Sequence, residues 1–286
     1  MRVAYYPGCS LQSVAKEYDS STRAVSKALG IELIEIPDWN CCGASAAHAS
    51  SEYLATALSA RNLCLAEEMK LNVTSPCAAC YQSLAHANWK LTRDQDLLAK
   101  INQAVEQPYQ GGVKVLSIID VFNEIGVDKI QSRVLQPLQG LRVAVYYGCL
   151  LVRPPQVVSI DDSENPQLLD NLIKATGAET VEWSHKVECC GGSLSVTNEE
   201  VSLKMVKDIL SSAAAAGALC IVDACPQCHL NLDMRQKKIN KLYNTNFNIP
   251  IIYFTQLLGL AMGIQAKELN MKTHFVNTDP VTSLVG

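Results

Sequence analysis

Long apolar runs are missing from this 286-residue chain. The longest, residues 249–264, is broken by Pro250, Thr255 and Gln256 and falls short of the ~20 apolar residues that cross a bilayer, so no membrane insertion is expected. A basic excess is missing too: 24 Lys and Arg stand against 28 Asp and Glu, a net charge of -4. Without a cationic face to neutralise phosphates, no nucleic-acid binding is expected. There is neither a G-x-G-x-x-G fingerprint nor a compact ferredoxin-type run of four cysteines, so no flavin or NAD is expected in this chain and electrons have to arrive from outside. The start, Met1-Arg2-Val3-Ala4-Tyr5-Tyr6-Pro7, enters a strand-like segment without the apolar core of a signal peptide, which predicts a cytoplasmic protein.

What the chain has is cysteine, twelve in all. In a reducing compartment that number argues against a disulfide framework. Adjacent cysteines such as Cys41-Cys42 would close only a tight, strained ring. Ten of the twelve form two matching sets of five: Cys9, Cys41, Cys42, Cys77, Cys80 and Cys149, Cys189, Cys190, Cys225, Cys228. In both sets thirty-four residues separate the paired cysteines from the Cys-x-x-Cys. The lone leading cysteine stands thirty-one residues before the pair in the first set and thirty-nine in the second, where the loop-like stretch 153–166 accounts for the extra length.

Hydrophobic periodicity places these motifs on a repeated order of strand, helix, strand, cysteine pair, helix, strand, cysteine pair, helix. Residues 3–6 form a strand that delivers Cys9, residues 14–29 a helix stopped at Gly30, and residues 31–36 a strand ahead of Cys41. Residues 51–70 form a helix, and residues 71–74 a strand ahead of Cys77. The run Arg142-Val143-Ala144-Val145-Tyr146-Tyr147-Gly148-Cys149 echoes Arg2-Val3-Ala4-Tyr5-Tyr6-Pro7-Gly8-Cys9 and restarts the pattern, the mark of an internal duplication. Residues 94–139 read as a connector outside the repeat. The fold class is α/β, in two units (1–139 with the connector, 140–286 with a C-terminal helix), each a small, mostly parallel sheet flanked by helices. Ligands gather at the carboxyl ends of such strands, where every patterned cysteine is predicted to lie.

Thiolates hold zinc or iron–sulfur clusters. Tetrahedral zinc and an ordinary cubane each take four ligands and would leave one cysteine of each five unused. Neighbouring cysteines reach different irons of one cluster, or one thiolate bridges two, and Gly43 and Gly191 let the backbone pass close to an inorganic core.

The doubled order of lone Cys, Cys-Cys-Gly and Cys-x-x-Cys resembles the cysteine-rich (CCG) domains of the catalytic B subunit of heterodisulfide reductase and its bacterial relatives. Tyr6-Pro7-Gly8-Cys9, Cys225-Pro226-Gln227-Cys228-His229-Leu230-Asn231-Leu232-Asp233 and the late Tyr253-Phe254-Thr255-Gln256-Leu257-Leu258-Gly259-Leu260 share in the likeness. The resemblance implies two noncubane [4Fe-4S] clusters, one on each set of five cysteines. It also implies reduction, or in reverse formation, of a disulfide in one-electron steps, in a pseudo-twofold cleft between the halves. As partners it implies a small iron–sulfur protein with cubane clusters, like the reductase's C subunit, and behind it a flavoprotein like the reductase's A subunit. The implied substrate is a small-molecule or carrier-bound disulfide. Related subunits of lactate, glycolate and glycerol-phosphate oxidising systems carry versions of the motif. The reading from another class is a non-catalytic electron-transfer or assembly subunit holding cubanes or zinc.

Outside the pattern, Cys64 and Cys220 read as small buried hydrophobes. His185, Lys186 and His229 stand close to patterned cysteines and are candidates for groups around the clusters or the substrate, against ordinary surface or capping roles. Tyr6, Tyr147, Trp39 and Trp183 precede cysteines and either shield the sites from water or simply pack the core.

Overall fold

The computed structural model describes residues 1–44, 46–158 and 160–285. Among the described residues, eight strands form two four-stranded sheets of the same design. The first contains β1 (Arg2–Tyr5), β2 (Glu32–Glu35), β3 (Val73–Ser75) and β4 (Val115–Ser117) in the order β2-β1-β3-β4. The second contains β5 (Arg142–Tyr146), β6 (Glu179–Thr180), β7 (Cys220–Asp223) and β8 (Ile251–Tyr253) in the order β6-β5-β7-β8. Every pairing is parallel. The central strands read as continuous apolar runs, Val3-Ala4-Tyr5 and Val143-Ala144-Val145-Tyr146, because helices cover both faces.

Residues 94–139, expected to be a connector, contain β4, which completes the first sheet beside β3 as β8 completes the second beside β7. The repeat is therefore longer than the cysteine spacing suggested. That spacing could not reveal β4, a three-residue strand that carries no cysteine. The helix after each fourth strand crosses to the other half. Ile118–Ile125 packs on Leu168–Lys174, and Phe254–Ala261 packs on Lys16–Leu29. Phe122 meets Phe254 edge to face at 5.4 Å, and Tyr18 stacks on Tyr253 at 4.1 Å. Ser21 and Thr255 hydroxyls hydrogen-bond at 2.7 Å inside this seam. Each aromatic pair adds about 0.5–1.5 kcal/mol beyond its buried area, so the halves share one core.

Helix ends follow local chemistry. Gly30 caps Lys16–Leu29 in the left-handed region at φ +74°, as its place in the sequence predicts. Ser51 accepts from the Leu54 amide at the start of Glu52–Glu68. No helix among the described residues is long and apolar enough to cross a membrane.

Candidate functional site

All ten patterned cysteines lie beyond the carboxyl ends of strands or on the first turns of the helices that follow. Cys9 sits on the short helix Gly8–Gln12 after β1, Cys77 caps Ala78–Leu91 after β3, and Cys225 caps Pro226–Met234 after β7. The two sets share several contacts. The Cys42 and Cys80 sulfurs are 3.4 Å apart, and so are those of Cys190 and Cys228. The Gly43 amide points at the Cys41 sulfur at 3.5 Å and the Gly191 amide at that of Cys189 at 3.3 Å. Tyr6 donates its hydroxyl to the Asn40 carbonyl at 2.7 Å, and Tyr146 donates to that of Glu188 at 2.6 Å, each just ahead of the paired cysteines. Trp39 packs on Tyr6 and Trp183 on Tyr146. The counterpart of Tyr6 is thus Tyr146. Tyr147, expected to shield a cysteine, turns away and donates to Asp170 at 2.8 Å.

Glycine is required where the lone cysteine approaches. At Gly8, φ is +70° and a Cβ would stand 2.9 Å from the Cys80 sulfur; at Gly148, φ is +66° and a Cβ would stand 3.2 Å from that of Cys228. Cys42, Cys77, Cys80, Cys190, Cys225 and Cys228 are buried, Cys149 and Cys189 half-buried, and Cys9 and Cys41 exposed. Each site has a buried floor and a rim open to solvent.

Within each set the thiols divide their protons. The hydrogen bond with Cys80 brings Cys42 down to about 7, whereas hydrogen bonds to Cys42 and Cys77, with burial, hold Cys80 well above the usual thiol range. Cys149 likewise brings Cys189 down to about 6 and is itself held far up. Cys228 lowers Cys225. Each site therefore holds a thiol that ionises near neutral pH, the form in which a cysteine binds metal. Among the described residues, no three cysteine sulfurs lie within 4.8 Å of one another. Five thiols in each set exceed the four that one tetrahedral zinc ion takes, and thiolates suit the iron of iron–sulfur clusters equally well.

The other candidates separate. His185 is half-buried and pairs with the Ser184 hydroxyl at 2.9 Å. Lys186 is only 4% exposed; its Nζ donates to Asp170 at 3.0 Å and to the Pro166 carbonyl at 3.1 Å. Its own carbonyl accepts from the Tyr147 and Gly148 amides, tying the loop before Cys189 to the one before Cys149. The ammonium is thus committed to the protein interior and does not face a ligand. His229 is buried and stacks on Tyr253 at 3.8 Å. It forms a chain with Asp223, His274 and Gln256 that sequence reasoning missed, because His274 lies forty-five residues after His229.

The chain is directional. Gln256 accepts from the Tyr253 amide and donates to the Leu269 carbonyl, so its amide N–H must also donate to His274 Nε2, at 3.0 Å. His274 Nδ1 then donates to His229 Nε2 at 3.0 Å, and His229 Nδ1 to Asp223 at 3.3 Å. His229, Asp233 and His274 are close enough to hold a metal ion, but this polarity puts a proton on the nitrogen that His274 would need to offer. Burial pushes His229 down to about 4 and His274 to about 3, so both rings are neutral at pH 7. Cys64 donates to the Gln107 carbonyl and is pushed by burial up to about 11, and Cys220, inside β7, up to about 12.

The cysteine-rich domain family matches twice, at residues 3–85 and 143–233. The chain is 37% identical to the 8-methylmenaquinol:fumarate reductase membrane anchor subunit of Wolinella succinogenes, covering 96% of each. It is 32% identical to the B subunit of the ferredoxin/F(420)H(2)-dependent CoB-CoM heterodisulfide reductase of Methanosarcina acetivorans, covering 96% of this chain and 94% of that one. A crystal structure of a hypothetical protein from Helicobacter pylori shares the fold at a TM-score of 0.77 and 15% identity, over 97% of this chain and 52% of that one. With both motif copies matched and relatives aligned end to end, the chain belongs to the CCG cysteine-rich family of iron–sulfur oxidoreductase subunits that includes the B subunit of heterodisulfide reductase.

Proposed function

We propose that the chain is the catalytic subunit of a heterodisulfide reductase-like complex, with one noncubane [4Fe-4S] cluster on Cys9, Cys41, Cys42, Cys77 and Cys80 and a second on Cys149, Cys189, Cys190, Cys225 and Cys228. The observation that carries this is the close repetition, in both halves, of five converging thiols, three buried and two on an accessible rim. When bound, the clusters supply one-electron redox equivalents, two of which split or form one S–S bond. Cys9 and Cys41 mark the face from which a disulfide reaches the first site, and Cys149 and Cys189 that of the second. Tyr6 with Trp39, and Tyr146 with Trp183, exclude water behind the paired cysteines. The Cys9 helix packs against Pro226–Met234, and Tyr18 lies within electrostatic reach of both Cys77 and Cys225, which supports a cleft served by both sites. Electrons would come from a cubane iron–sulfur protein of the C-subunit type and, behind it, a flavoprotein of the A-subunit type.

Iron and acid-labile sulfide on anaerobically purified protein test the reading, together with electron paramagnetic resonance of the oxidised form with and without thiol. About eight irons per chain and a thiol-sensitive signal are expected. Stoichiometric zinc without sulfide would leave a scaffold. The relative named as part of a menaquinol:fumarate reductase favours a second reading, in which the same two sites pass electrons between partner proteins and no disulfide is cleaved. A full complement of iron with a signal indifferent to thiols would select it.

A further inference from the structure

The two halves differ behind the paired cysteines. Behind the Cys41-Cys42-Gly43 turn lies a hollow of about 60 Å³ whose walls include His48, Glu52, Ser83, His86, Ala87 and Lys90. The glycines set the register between the halves. A Cβ on Gly43 would meet the Ala55 Cα at 3.2 Å, and one on Gly191 the Ser202 Cα at 3.1 Å, so Glu52 answers to Glu199. The Cys-x-x-Cys turns then pair Ser83 with Asn231, Ala87 with Arg235 and Lys90 with Lys238.

In both halves the lysine holds the glutamate: Lys90 bonds Glu52, and Lys238 bonds Glu199 at 2.6 Å. In the second half Arg235 joins them. Its guanidinium donates to Glu199 at 3.0 Å and to the Ser195 carbonyl at 3.1 Å, with the side chain 10% exposed. Beside it Asn231 donates to the Cys190 carbonyl at 2.6 Å. In the first half serine and alanine stand at these two places. Ser59 takes over the bond of Asn231, donating to the Cys42 carbonyl at 2.9 Å. Nothing among the described residues takes over that of Arg235, and Glu52 keeps a carboxylate oxygen without a protein partner.

We propose that this hollow receives a guanidinium group, that of an arginine side chain presented by a partner polypeptide, seated as Arg235 is seated in the second half. The space holds about four water-sized groups, the heavy-atom count of a guanidinium. The walls offer acceptors: Thr56 and Ser59 donate their hydroxyl protons to the Glu52 and Cys42 carbonyls, and Gln82 donates to the Arg153 carbonyl, leaving its amide oxygen free. Burial and Lys90 push His86 down, so that ring presents a lone pair rather than a second positive charge. A planar fork presents two N–H groups in one fixed plane to Glu52 and a wall acceptor, a bidentate geometry that the point charge of an ammonium matches less well. An arginine here lies against Gly43, so the partner seats next to the first cysteine set. The site goes beyond the reaction proposed and does not depend on it, because it is made by Glu52 and the small side chains.

Calorimetric titration of the full, cluster-loaded chain tests this, using methylguanidinium, acetyl-Gly-Arg-Gly-amide and its lysine counterpart. Saturable binding of the first two is expected, with the lysine peptide about tenfold weaker or worse. Glu52→Gln, at an exposed carboxylate, should weaken both by about tenfold, the loss of one charge-assisted bond. Ala87→Arg, which fills the hollow from within, should abolish binding. Absence of saturable binding overturns the proposal, as does lysine binding equal to arginine. If Ala87→Arg fails to fold, Glu52→Gln decides alone, and unchanged affinity in it overturns the assignment.

Discussion

Replacing Gly8 by alanine should empty the first cysteine site and leave the second loaded. Two terms act. A φ of +70° costs an L-residue about 1–2 kcal/mol, and the new methyl would stand 2.9 Å from the Cys80 sulfur, inside the ~3.5–4.0 Å of ordinary contact. The sulfur must therefore shift by several tenths of an ångström, and it is already packed against Cys42 at 3.4 Å. Iron and acid-labile sulfide per chain, measured after anaerobic purification, should fall from about eight to about four. Gly148→Ala should do the same to the second site less completely, since its Cβ would meet the Cys228 sulfur at 3.2 Å. Gly30→Ala separates strain from contact, because φ there is +74° and a Cβ would meet nothing within 4 Å. It should lose the same ~1–2 kcal/mol in urea unfolding of the cluster-free protein yet keep all its iron. Full iron in Gly8→Ala, or equal iron loss in Gly30→Ala, would refute the reasoning.

Lys186→Met leaves the Asp170 carboxylate buried and unpaired and should cost about 3–5 kcal/mol, most of it recovered in Lys186→Met/Asp170→Leu; urea unfolding of the three proteins checks this. His274, held down at about 3 in the fold, takes up its proton near 6.5 only when unfolded. Its contribution therefore weakens as pH falls below 6.5, by about 1.4 kcal/mol per pH unit. His274→Gln should lack that slope in cluster-free protein unfolded between pH 7.5 and 5, and parallel stability curves would contradict it. Cys64→Ala and Cys220→Ala should keep all the iron, whereas Cys77→Ala or Cys225→Ala should each lose the iron of one site in the same assay.

Cysteine spacing makes the duplication and the strand-end location of the site legible, because thirty-four residues are just enough for a helix and a strand between two loops on one sheet edge. Periodicity likewise locates the helices Lys16–Leu29 and Glu52–Glu68 and the cap at Gly30. What stays hidden depends on contacts between distant segments. Periodicity gives a strand at residues 113–117, but its place as β4, the fourth strand of the first sheet, emerges only from its pairing with β3. Lys186 reads as a solvated charge because its partner, Asp170, lies on a helix sixteen residues earlier with no motif to announce it. His274 has no cysteine beside it, so nothing local links it to His229. Two tyrosines adjoin at Tyr146-Tyr147, and only the hydrogen bond of Tyr146 to the Glu188 carbonyl decides which of them shields the second site.

The duplication keeps what a bound cluster would need and varies what surrounds it. Kept in both halves are the 3.4 Å sulfur pair, the amide directed at the first paired cysteine, the tyrosine bonded to the preceding carbonyl and the left-handed glycine before the lone cysteine. Varied are the anchors of the paired-cysteine loops. In the second half that loop is pinned by a buried ion pair, Lys186 with Asp170. In the first the corresponding position is Asp38, at φ +52° and on the surface, bonded to Arg61 at 2.5 Å. An exposed pair of this kind contributes at most about 1 kcal/mol, whereas breaking a buried one costs several. The loop of Cys41 is accordingly the easier of the two to displace, and its cysteine is exposed where Cys189 is half-buried. Two sites with the same cysteine pattern but unequal anchoring and exposure are not interchangeable: Cys9 and Cys41 are open to solvent where Cys149 and Cys189 are half-covered.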